Sequence, residues 1–173
     1  MKKIVIRFNA PVILAFALLS LLALLLGKWT DGAATYQYFS VYRASLSDPL
    51  TYVRFFGHVL GHADYEHYMG NMLLILLVGP GLEEKYGSGT MLWTIAVTAL
   101  VTGLVHFVFF PGSVLLGASG VVFMMIVLSS FTAMRRGEIP ITLILVVIFY
   151  LGGEIMDGLF KQDNISQITH IVG

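Results

Sequence analysis

Apolar residues in this chain come in long unbroken runs, separated by short breaks that are polar or contain Gly and Pro. A helix that crosses a hydrocarbon core of roughly 30 Å needs about 20 mostly apolar residues. Runs of about that length stand at 10–27, 67–83, 90–110, 118–134 and 140–159. None alternates with period two, as a barrel strand requires, and lipid offers no partner to the amides of an open strand. The pattern predicts an all-α polytopic membrane bundle. It would form one domain over 1–173, with an outer loop at 28–66 and the start of a sixth span near 168. In that loop Trp29, Tyr36, Tyr38, Tyr42 and Tyr52 suit a membrane interface.

Composition agrees: 57% of the 173 residues are hydrophobic and 12% charged, against about 45–50% apolar in soluble domains. Net charge is zero, with no basic run interleaved with aromatics, which argues against nucleic acid as a partner. Cysteine is absent, so neither a disulfide nor thiolate chemistry is available. The opening "MKKIVIRFNAPVILAFALLSLLALLLG" has the basic end of a signal peptide, but its long apolar run and missing small-x-small site favour a retained helix. No internal repeat or low-complexity tract stands out.

Short loops rich in Lys and Arg stay on the cytoplasmic side. Lys2, Lys3, Arg7, Lys85, Arg135 and Arg136 then fall inside together, which puts the N-terminus in the cytoplasm and segment 28–66, "FFPGSVLL" and "KQDNIS" outside. The expected location is a cell membrane, the inner membrane of a bacterium. This topology brings His67, Asn71, Ser119 and His170 to similar depth near the outer face. Polar groups in lipid-embedded helices usually face a bundle interior or a wet cavity, so their convergence points to one site.

Each of these motifs also has a plainer reading. Gly117 and Gly120 in "GASG" fit ordinary close packing between helices, yet a serine at a helix start also has amide donors beside it. Serine needs a base, and His170 in "ISQITHIVG" is a candidate, though an interfacial histidine looks the same. His67 and Asn71, at i and i+4, share one helix face and have the donors an oxyanion wants. They would serve equally for interhelical hydrogen bonds. Metal ligation by His58, His62 and His67 is the sharper rival, but His62-x4-His67 is not a usual helical ligand pair.

Taken in order, His62-x4-His67-x3-Asn71, "GPGLEEKYGSG", Gly117-Ala-Ser-Gly120 and His170-x2-Gly173 resemble the rhomboid intramembrane serine proteases, over about residues 50–173. The resemblance implies a rhomboid-like bundle of six spans. It implies Ser119 as nucleophile and His170 as base of a dyad, with His67, Asn71 and the Ser119 amide as oxyanion hole. Glu83 and Ser88 match residues used for structural hydrogen bonds, and His62 matches a structural residue. Phe123 stands where many members have a Tyr against the catalytic imidazole, and Val53-Arg54 where many have Trp-Arg. Only three residues follow His170, so the sixth span is expected to be cut short as the sequence stands.

The implied activity is endoproteolysis in or beside transmembrane segments of other membrane proteins, with the lipid bilayer and such segments as partners and no metal or organic cofactor. Small residues at the cut and helix breakers near it would be favoured. Glu154 and Asp157 are left outside the site, and His106 has no derived role. Two alternatives stand beside this one. One is a divalent-cation transporter or binding protein using His62, His67, His106, Glu154, Asp157 and His170; the other is an inactive rhomboid-like protein. Substrate and oligomeric state are not legible.

Overall fold

The computed structural model describes residues 9–133 together with 141, 144, 145 and 148. Helices α1 (Pro11–Trp29), α2 (Ala33–Tyr38), α3 (Pro49–Gly57), α4 (Tyr65–Tyr86), α5 (Ser88–Phe109) and α6 (Ser119–Ala133) follow one another, with a 3₁₀ turn at His58–Leu60 after α3. Among the described residues the extended pairing is one antiparallel bridge, Val41 with Leu115. By length and composition α1 and α5 suffice to cross a membrane, and the apolar part of α6, Ser119–Phe131, is shorter. The fifth run lies outside the described residues except for Ile141, Ile144, Leu145 and Ile148, which are helical and exposed. Arg135, Arg136, Glu154, Asp157, His170, Gly173 and the sixth span lie outside them altogether.

Residues 1–125 form one compact unit; 126–173 belong to a second, in which Ser130 returns a hydrogen bond to the Ile126 carbonyl at 2.9 Å. Within the first unit α1 and α4 pack along their length. The buried stripe of α1, Ile13, Phe16, Ala17, Ser20, Ala23, Leu24 and Gly27, has helical spacing. Leu18, Leu19, Leu22, Leu25 and Leu26 are exposed, as a lipid-facing flank requires. Gly79 of α4 allows the approach: a Cβ there would lie 2.7 Å from Ile13 Cδ1. Tyr68 adds a bond from its hydroxyl to the Ala17 carbonyl at 3.2 Å.

The start of α1 has Pro11 in its first turn and no side-chain cap of its own. Its orphan amides are met from another helix. Glu83, near the end of α4, accepts from Val12 N and Ile13 N at 3.0 Å each and from the Ser88 hydroxyl at 2.6 Å. A buried carboxylate satisfied by three donors and set against the positive end of a helix is a stabilising arrangement. Beside it Asn9 donates to Glu84 at 2.9 Å.

Segment 28–66, expected as a loop, contains α2, α3 and the 3₁₀ turn. The signal for α3 is in the sequence: Asp48 caps the Leu50 amide at 2.9 Å, and Pro49 takes the first turn, where a missing N–H costs nothing. Arg54 is 4% exposed; it donates to the Gln37 carbonyl at 2.9 Å and Asp48 at 3.1 Å, and lies 4.6 Å over the Tyr42 ring. Tyr42 stacks on Tyr36 at 4.3 Å. Those two tyrosines are thus half-buried inside the segment, while Trp29, Tyr38 and Tyr52 are exposed as an interface would need.

Replacing Glu83 with Ala should strip the acceptor from three donors. The expected cost is about 2–4 kcal/mol, read as a lower thermal midpoint of the purified protein in detergent. Ser88→Ala should cost about 1 kcal/mol. An unchanged midpoint in Glu83→Ala would deny the cap its role.

Candidate active site

Two chain segments are fixed against each other at the ends of α4 and α6. Asp64 caps α4 by accepting from His67 N at 2.8 Å, which sets His67 in the first turn. One turn on, buried Asn71 lies on the same face and donates to the His67 carbonyl at 3.2 Å. The second segment runs from the end of α5 into α6. Val41 and Leu115 exchange both backbone bonds, at 2.8 and 2.9 Å, and Gly117 N donates to the His58 carbonyl at 2.9 Å. Helix α6 then opens with Ser119, and the Val122 amide returns to Ala118 at 2.9 Å.

Gly117 is where the two segments meet. Its φ of +124° is a conformation that side chains avoid. A Cβ on it would lie 2.8 Å from both Cε1 and Nε2 of His67 and 4.0 Å from Asn71 Nδ2. The bare backbone therefore sits directly on the His67 ring, two residues before Ser119. Gly120, on the other side of Ser119, packs on α5; a Cβ there would be 3.1 Å from Thr102 Cγ2. Phe123 is half-buried one turn after Ser119 on the same side of α6. Of the residues singled out in the sequence, His67, Asn71, Gly117, Ser119 and Gly120 thus gather at one place. Glu83, near the other end of α4 and roughly 24 Å from His67 by helical rise, bonds the start of α1, and Ser88 at the start of α5 bonds Glu83. His170 and Gly173 lie outside the described residues.

The remaining histidines are tied into the scaffold. His62 is 1% exposed. Its Nδ1 meets the Leu60 carbonyl at 3.1 Å, and its ring sets edge-on to His67 at 5.0 Å and Tyr68 at 5.5 Å. Because a carbonyl only accepts, Nδ1 carries the proton; Nε2 has no hydrogen-bond partner among the described residues. Burial, with the neighbouring His67 adding to it, pushes the His62 imidazole down to about 4. His106, without a role in the sequence reading, bonds the Ser113 carbonyl at 3.2 Å and stacks on Phe110, fastening the turn after α5. His58, which sequence reasoning weighed only as a metal ligand, bonds the Ala99 carbonyl through Nε2 at 3.0 Å. Burial lowers its pKa as well. Its one sequence signal is its place between Gly57 and Gly61, which marks a tightly packed turn. Among the described residues no three His, Asp or Glu side chains gather as a metal-binding group.

A family model described as "Rhomboid domain" matches residues 49–173. Rhomboid-related protein 1 of Caenorhabditis elegans is 30% identical over 133 residues, which covers 69% of this chain and 36% of the relative. The chain thus spans about a third of the length of the curated relative it matches.

A histidine held neutral by burial stabilises the fold fully above its unfolded value of 6.5. That contribution falls as pH drops toward about 4, because the unfolded chain takes up the proton first. The His62 contribution is on the order of 3 kcal/mol. Unfolding free energy measured from pH 7 to pH 4 should therefore decline less steeply in His62→Phe than in the parent. Parallel curves would refute the assignment.

Proposed function

The chain belongs to the rhomboid family, and from that premise we propose that it is an intramembrane serine endopeptidase acting on transmembrane segments of other membrane proteins. Ser119 is the nucleophile and His170 its general base. The observation that carries this reading is the seat of Gly117 on the His67 ring with the Asn71 amide beside it. It puts the turn that leads into Ser119 against two side chains able to donate to an oxyanion.

In the proposed reaction Ser119 Oγ attacks the scissile carbonyl carbon and its proton passes to His170. Negative charge develops on the carbonyl oxygen, where His67, Asn71 and the Ser119 amide stabilise it. The C–N bond then breaks, the leaving amine takes the proton from His170, and water hydrolyses the acyl-enzyme by the same steps. A helical carbonyl is already bonded, so the substrate segment must unwind near the cut. That requirement favours helix-breaking residues and a small side chain there. The N-terminus lies in the cytoplasm and the site opens to the opposite face, a placement supported by Lys2, Lys3, Arg7, Lys85, Arg135 and Arg136 falling on one side.

A fluorophosphonate probe, which esterifies an activated serine, tests the proposal on the full chain in liposomes. Labelling is expected in the parent and lost, by about 10³-fold or more, in Ser119→Ala and His170→Ala. Absence of labelling in the parent, or labelling indifferent to both substitutions, would point instead to a rhomboid protein that binds membrane helices without cutting them.

A further inference from the structure

One turn of α5 touches the chain on both sides of Ser119. On the upstream side the contact runs through His58. The His58 ring donates from Nε2 to the Ala99 carbonyl at 3.0 Å and lies 3.5 Å from the Thr102 hydroxyl. The His58 carbonyl in turn receives the Gly117 amide at 2.9 Å. Gly103 makes room for this approach, since a Cβ there would be 3.1 Å from the Phe55 carbonyl and 3.3 Å from His58 Nε2. On the downstream side Thr102 itself meets Gly120, where an added Cβ would lie 3.1 Å from Cγ2. The Thr102 side chain is held in that pose by its hydroxyl bonds to Thr98 O at 2.8 Å and Ala99 O at 3.2 Å.

We propose that His58 and Thr102 are positioning residues that set the depth and orientation of Ser119, acting from one turn of α5 on Gly117 and Gly120. The inference rests on the reading of Ser119 as nucleophile. Ser119 lies between Gly117, bound to the His58 carbonyl while the His58 ring bonds Ala99, and Gly120, which packs on Thr102. The buried, neutral His58 ring cannot leave the Ala99 carbonyl without stranding its N–H in an apolar setting. Sliding α6 along α5 is resisted at Gly120, where a methyl group would fit only if the Thr102 side chain gave way by a few tenths of an ångström. A displacement of about 1 Å at a reacting atom costs on the order of 10²-fold in rate, so a contact of this closeness governs reactivity without touching the substrate.

The test uses a clash and its relief. Gly120→Ala sets a methyl against Thr102 Cγ2, and adding Thr102→Ser removes that Cγ2. Fluorophosphonate labelling of Ser119 should slow by about tenfold or more in Gly120→Ala and return to within about twofold of the parent in the double variant. In parallel, His58→Phe, which loses the N–H, should slow labelling, and His58→Gln, which keeps a donor near the same point, should restore it. This pair carries the comparison if Gly120→Ala fails to fold. Since the chain has no cysteine, Ser119→Cys introduces a single thiol. Its alkylation by a water-soluble maleimide reports the setting of residue 119 without catalysis. The thiol rate should shift by about threefold or more in Gly120→Ala and revert with Thr102→Ser. A parent inert to fluorophosphonate but with the thiol pattern intact would sink the protease reading and leave the positioning in place. Rates unchanged by Gly120→Ala, or a Thr102→Ser that brings no recovery, would overturn the positioning itself.

Discussion

The approach of the Gly117 backbone to the His67 ring is the constraint on which the site end of the molecule depends. It requires a residue without a Cβ in a conformation that only glycine adopts readily. It also requires both partners to be fixed beforehand. Asp64 fixes His67 by capping α4, and His58 and Val41 fix the incoming strand through backbone bonds at Gly117 and Leu115. The pieces of segment 28–66 thereby gain a purpose beyond covering the bundle. The buried Arg54, gripping Gln37 and Asp48 and lying over Tyr42, holds together the stretch that includes Val41. The aromatic pair Phe55 and Phe107, 5.4 Å apart, locks the same stretch to α5.

Among the described residues, carboxylates stand where helices begin and complete them. Glu83 completes α1, Asp48 completes α3 and Asp64 completes α4, each by accepting amides that lack a partner in their own ladder. Between those ends the helices meet through small residues, Gly79 against Ile13, Gly103 against Phe55 and Gly120 against Thr102. Lipid supplies no hydrophobic drive for helices to associate, so close packing and satisfied termini supply the cohesion instead.

The helical class was legible because apolar runs of spanning length leave little choice of backbone in a bilayer. Hydropathy marked the apolar middle of α4 but not its ends, where Asp64 and Gly87 extend it to 22 residues through polar sequence. Inside 28–66 the same method saw only a loop, because α2 is six residues long and α3 nine, both too short for a periodic signal. The local cue to α3 is Ser47-Asp48-Pro49, an N-cap followed by a first-turn proline. For the site, helical spacing related His67 to Asn71, and topology with the family resemblance set both beside the Ser119 stretch, but the seat of Gly117 on the His67 ring is visible only in the structure. Nothing in local spacing joins residues so far apart in the chain. The positioning roles of His58 and Thr102 were not legible for a further reason: His58 links the Ala99 carbonyl to Gly117 through its ring and its own carbonyl together, Thr102 acts through a methyl group, and neither carries a motif.

The carboxylate of Glu83 reaches the Ile13 amide across 70 positions of chain. During synthesis α1 emerges before α4, yet its amino end stays uncapped until α4 has been made and threaded alongside it. Helix α1 is therefore completed late, and its seating records whether α4 has arrived in register.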